Sequence, residues 1–214
     1  MIDLNPESSA AERSRYVEHG RRLEYFTIFW NSLEALAALI SGFIAGSVAL
    51  VGFGLDSLIE VTSGAALLWR LHQDKESLRR EAAERLTLRI VGSCFLVLSV
   101  YIAYDSLHAL LSREVPARSL PGIVIAVASL IAMPLLSRAK RRVGDGLGSA
   151  AMAADARQTD FCTYLSAILL GGLLLNAFFG LWWADPVAGS IMVPIIAKEG
   201  IAAWQGKACC DSCD

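Results

Sequence analysis

Two carboxylates stand inside a long apolar stretch: Asp56 and Glu60, in GFGLDSLIEVTSG, residues 52–64. Four residues apart, they share one face of a helix. An unpaired charge in an apolar medium takes up a proton, pairs with an opposite charge or binds a cation. Two carboxylates within reach of each other make a hard oxygen site for a divalent ion. Without the ion, at least one of them holds a proton, because like charges oppose ionisation. The competing reading is a structural pair, protonated or matched to arginine. Arg70 and Arg157 are the basic residues read as nearest the spans, and both are expected to snorkel to the membrane surface.

A second polar set lies in AADARQTDFCTYLS, residues 153–166. Asp155, Gln158 and Cys162 fall at i, i+3 and i+7, on one helical face. Asp160 points about 160° away from Gln158 around the helix and ranks lower. At about 1.5 Å of rise per residue, Asp56 lies roughly 12 Å below one end of its span, and Cys162 reaches a similar level from the other direction. Glu60 and Gln158 match one turn deeper. A metal site of Asp56, Glu60, Gln158 and Cys162 follows, and its mixture of thiolate and carboxylates suits zinc or a similar borderline ion better than magnesium or calcium. Taken alone, Cys162 would read as a small buried hydrophobe.

Glu34, in WNSLEALAALISG, also falls near mid-membrane, with Asn31 three residues earlier and able to bond on the same face. Glu34, Asp155 and Asp160 are therefore further candidates, as ligands, proton carriers or structural groups. Asp185-Pro186 reads as a helix N-cap followed by proline at the first helical position. Cys209, Cys210 and Cys213, in the terminal GKACCDSCD, form a candidate soft-metal cluster, with an inert or redox-active tail as the alternative.

These residues need elements to hold them at depth. The chain has 214 residues, 55% of them hydrophobic, and its mean hydropathy is +0.49. Apolar residues gather in blocks near 24–46, 48–70, 87–111, 120–137, 149–176 and 186–204. Each approaches the roughly 20 residues needed to cross a bilayer. A soluble bundle would show polar faces at helical period, and FLVLSVYIAY shows none. The N-terminus has no short apolar core with a cleavage site, so no signal peptide is expected. The expected fold is all-α: a polytopic membrane protein with six transmembrane helices. It divides into a polar segment 1–22, a six-helix domain 23–205 and a Cys-rich tail 206–214. The polar segment is expected as a surface helix or partly disordered, and RAKRRVGDGLGS, residues 138–149, as a basic connection with a flexible glycine turn. Basic residues crowd one side, with only Arg113 and Arg118 on the other and Arg157 within span five. Both termini are expected in the cytoplasm on that ground.

These motifs resemble the cation diffusion facilitator family of divalent-metal exporters. Asp56-Ser57-Leu58-Ile59-Glu60 stands where that family carries D-x-x-x-D in its second helix. The run from Ala154-Asp155 through Gln158 to Cys162 stands where its fifth helix carries A-D-x-x-H-x-x-x-D, and Ala184-Asp185-Pro186 and Glu199-Gly200 are similar to its sixth. Gln158 replaces the family's histidine and Cys162 its aspartate. The resemblance extends over the six-helix region, and the chain looks like a tail-less branch without the family's cytoplasmic domain. It implies a homodimer, alternating access and exchange of metal for protons.

The expected function is export of zinc or a related divalent metal from the cytosol by a secondary transporter. Its partners would be the metal ion, protons, the lipid bilayer and a second copy of the chain. Zinc would be cargo, and no resident cofactor or nucleic acid is expected. The expected location is a bacterial inner (cell) membrane. A metal sensor or scaffold without transport is the main alternative. An enzyme ranks last, since the sequence offers no nucleophile–base pair and no nucleotide motif.

Overall fold

A computed structural model describes residues 6–72, 77–113 and 115–205. Within them the chain forms six helices: α1 (Pro6–Ala45), α2 (Val48–His72), α3 (Ser77–Ser112), α4 (Leu120–Leu147), α5 (Ala150–Phe179) and α6 (Ala184–Trp204). Each contains a segment long and apolar enough to cross a membrane. The protein is an all-α integral membrane protein. The triad of cysteines at 209, 210 and 213 lies outside the described residues.

The turns follow from local chemistry. Gly46 takes a positive φ of 64° between α1 and α2, which costs a residue without Cβ little. Gly148 closes α4 in the left-handed region, and the Ser149 hydroxyl then accepts from the Met152 amide to start α5. Ser119 does the same for α4 through the Gly122 amide, with Pro121 in the first turn.

Two segments differ from their sequence expectation. α1 extends without a break to Pro6, through most of the polar segment. α4 carries the basic run as helix to Leu147, so the turn is confined to Gly148 and Ser149. The reason is visible along α4: Met133, Leu136, Ser137, Lys140, Val143, Gly144 and Leu147 are all buried, one continuous stripe at helical spacing.

α2 and α5 lie side by side at the centre, with α1 and α4 covering one flank and α3 and α6 the other. The core between them is apolar toward the α1–α2 turn, where Leu50, Phe53, Ile102, Leu165 and Leu169 are fully buried. Backbones close tightly where α3 crosses α6: a Cβ at Gly92 would stand 2.7 Å from the Trp204 amide nitrogen and 2.8 Å from the Gly200 oxygen. Small residues at such crossings drive helix association in lipid, where water expulsion contributes little. Outward faces bear Phe43, Ile44, Val97, Tyr104, Leu111 and Phe178, as a lipid-facing surface requires.

Candidate functional site

Asp56 and Glu60 lie on the inward face of α2, and neither is exposed at all. α5 faces them with Cys162, whose Sγ lies 2.9 Å from Asp56 Oδ2 and 2.9 Å from Glu60 Oε2. A thiol has one proton to donate, so it satisfies one carboxylate at a time. Asp56 Oδ1 has no hydrogen-bond partner, whereas Glu60 Oε1 accepts from the Thr159 hydroxyl at 2.7 Å. Two carboxylates and a thiol thus meet at one buried point between two helices. Among the described residues no three such groups surround an open position ready for a metal ion. Sγ itself stands between the acids, so binding there requires the thiol to lose its proton and the groups to spread around the ion.

The other candidates are divided differently from the face that the spacing suggests. Gln158 is buried, but no bond joins it to the trio, and its Nε2 has no hydrogen-bond partner. Glu60 pairs instead with Thr159 and Cys162. Asp155 is bonded to Lys140 and, through Oδ1, accepts from Ser63 at 3.3 Å. Asp160 turns to α4, where Ser137 and Arg141 hold it. Glu34 accepts from Ser129 on α4, and its Oε2 is buried without a partner. Asn31 does not bond Glu34; its amide donates to the Thr27 carbonyl one turn back.

Asp185 is also reassigned. α6 begins at Ala184 with no side-chain cap, and the Asp185 carboxylate crosses to α2, accepting from the Ser47 hydroxyl and the Ala49 amide. It caps α2 because that helix presents free N–H groups at its start.

Three participants escaped the sequence reading: Lys140, Glu24 and Thr159. Lys140 and Glu24 are fully buried, and Thr159 links Lys140 to Glu60 of the trio. Arg157, by contrast, is exposed, so the buried cation is supplied by α4. The signal for Glu24 was its place on the α1 stripe Glu24, Thr27, Asn31, Glu34 and Ala38, all buried. For Lys140 it was the α4 stripe already described.

Residues 25–203 match the cation efflux transmembrane domain. The chain belongs to this cation efflux family. It is similar to transmembrane protein 163 of Xenopus laevis, 26% identical over 94% of this chain and 72% of that protein. It is also similar to an uncharacterized transporter of Methanocaldococcus jannaschii, 25% identical over 80% of this chain and 62% of that protein. A third relative, an uncharacterized transporter of Synechocystis, is 25% identical over 67% of this chain and 48% of its own length. The matched residues reach into all six helices, including α2 and α5 that carry the trio, and the protein is a membrane transporter of metal cations.

Proposed function

We propose that this transporter moves zinc or a closely related divalent ion out of the cytosol in exchange for protons. Asp56, Glu60 and Cys162 would bind the ion. The observation that carries the reading is the thiol held 2.9 Å from two buried carboxylates on the facing helix. Thiolate with carboxylate favours a borderline metal over a hard one. The same three groups must lose protons to bind, so metal and protons compete for one site, and an inward proton gradient can drive the ion outward. Rocking of helices about the fixed site would expose it to each side in turn. The excess of Lys and Arg on the side of the termini supports a cytoplasmic placement of that side.

Purified protein in liposomes containing a zinc-sensitive dye tests this. Zinc flux should depend on the pH gradient and vanish in Asp56→Ala. Equal flux in Asp56→Ala and the parent chain would refute the assigned site. No flux for zinc, cadmium, cobalt, iron or manganese would favour a sensor or scaffold instead.

A further inference from the structure

A lysine buried in a membrane bundle demands an account. Lys140, on α4, is wholly inaccessible, and its ammonium is held between residues of two other helices, α1 and α5. It pairs with Asp155 on α5, donates to Thr159 Oγ1 at 3.3 Å, and lies 3.6 Å from Glu24 Oε1 on α1. One ammonium therefore faces two carboxylates. Glu24 is fully buried, and neither of its oxygens makes a hydrogen bond. Room for it is made on α2, where a Cβ at Gly64 would stand only 3.1 Å from Glu24 Oε2. A stability-driven ion pair would satisfy those oxygens, since an unsatisfied buried acceptor is costly. This one leaves Oε1 facing the ammonium at 3.6 Å without a hydrogen bond, and Oε2 facing Gly64 with no partner.

Position adds a second argument. The Lys140 ammonium, Thr159 and Glu60 form one chain of polar contacts, with Thr159 Oγ1 donating to Glu60 at 2.7 Å. The cluster lies between the trio and the end of the bundle that bears the α4–α5 turn. In the opposite direction α2 and α5 present Phe53, Leu50, Leu165 and Leu169, all buried and apolar. Toward the α4–α5 end the way out of the trio is lined by Lys140, Asp155 and Glu24, whereas the buried Asp185 at the far end is taken up in capping α2.

We propose that Glu24 and Asp155 form a second cation-binding position on the transport path, and that the Lys140 ammonium occupies it in this state as a tethered stand-in. A divalent ion passing between the trio and the α4–α5 end would displace the ammonium and be held briefly by the two carboxylates. This rests on the cation-transport reading of the trio and names the step next to it. Coulomb repulsion between the ammonium and an arriving divalent ion favours the exchange, and the flexible lysine stem permits it.

Bound Cd²⁺ counted per chain in detergent-purified protein is the test, with Cd²⁺ flux in liposomes beside it. Counted with Cys209→Ser, Cys210→Ser and Cys213→Ser in every variant, because that cluster can itself take Cd²⁺, the otherwise unaltered chain should bind one ion. Lys140→Gln should bind two, and Lys140→Gln combined with Asp155→Asn should return to one. Glu24→Gln keeps the lysine and disturbs no hydrogen bond. It should lower flux at least about tenfold while leaving the affinity at the trio unchanged. A purely structural cluster would instead lower the unfolding temperature of Glu24→Gln and leave its flux intact. The inference is overturned if folded Lys140→Gln binds a single ion, or, should that variant not fold, if Glu24→Gln transports like the parent chain. A parent chain that binds no Cd²⁺, with a Lys140→Gln variant that binds one ion lost in Asp155→Asn, would sink the proposed function and keep this site.

Discussion

Cys162 Sγ lies 2.9 Å from Asp56 Oδ2 across the contact between α5 and α2. The contact joins residues 106 apart in sequence and sets a soft atom against a hard one. The choice of a thiol where the resembling family has a carboxylate should therefore decide which ions the site prefers.

Cys162→Asp tests that directly. A third carboxylate in place of the thiolate hardens the site. Cd²⁺ affinity should fall by at least about tenfold, and Mn²⁺ affinity should rise. Competition binding in detergent gives both numbers. Unchanged Cd²⁺ and Mn²⁺ affinities would mean that Cys162 is packing and not a ligand.

Metal affinity should weaken as pH falls. The sign follows from the ligands: two carboxylic acids and a thiol bind a metal only after losing protons, so acid competes with the ion. Titrating zinc at about pH 7.5 and about pH 5.5 should show a weaker site at the lower pH. The pH effect should shrink in Cys162→Ser, which removes one of the competing protons. A pH-independent affinity would argue against exchange of metal for protons at these residues.

How much of this was legible beforehand depended on how far each side chain is from its partners in sequence. The pairing of Asp56 with Cys162 was readable because both lie on regular apolar helices, where a fixed rise converts residue number into depth. The same arithmetic put Gln158 beside Glu60, and the structure puts Thr159 there. Depth along a helix is easier to read than rotation about it, since a neighbour one residue away differs by about 100°. Lys140 was lost for another reason. In RAKRR it looks like a solvated charge, and the cluster of basic neighbours masks its place on the buried stripe of α4, where partners on α1 and α5 meet it.

Thr159→Val should separate the hydroxyl from the shape of the side chain. The methyl replaces an oxygen that bonds Glu60 and accepts from Lys140. Leaving a buried carboxylate oxygen unsatisfied costs about 1–3 kcal/mol, which would lower the unfolding temperature in micelles. Thr159→Ser keeps the hydroxyl and should retain most of that stability. Equal losses in both variants would place the effect in the methyl packing.

Asp185→Ala should destabilise the bundle without changing which metal it carries. The carboxylate caps α2 through Ser47 and the Ala49 amide, about three helical turns from Glu60 at the middle of that helix. Loss of a helix cap costs about 1 kcal/mol, and Asp185→Asn, which keeps an acceptor, should cost less. Thermal unfolding ranks the variants, and the ratio of zinc to cadmium flux should stay constant across them. A shifted ratio would show that α2 capping sets the geometry of the trio.

Gly92→Val should separate α3 from α6. The added Cβ would meet the backbone of Trp204 and Gly200 at under 3 Å, and backbone cannot move aside as a flexible side chain does. Overpacking of this kind costs about 1–3 kcal/mol or more. The trio is built by α2 and α5, so its Cd²⁺ affinity should survive in whatever fraction remains folded. Flux should fall further than affinity, because α6 packs on both central helices and a loosened α3–α6 pair disturbs what must move around the site. Equal losses of affinity and flux would place the trio and the α3–α6 crossing in one rigid unit.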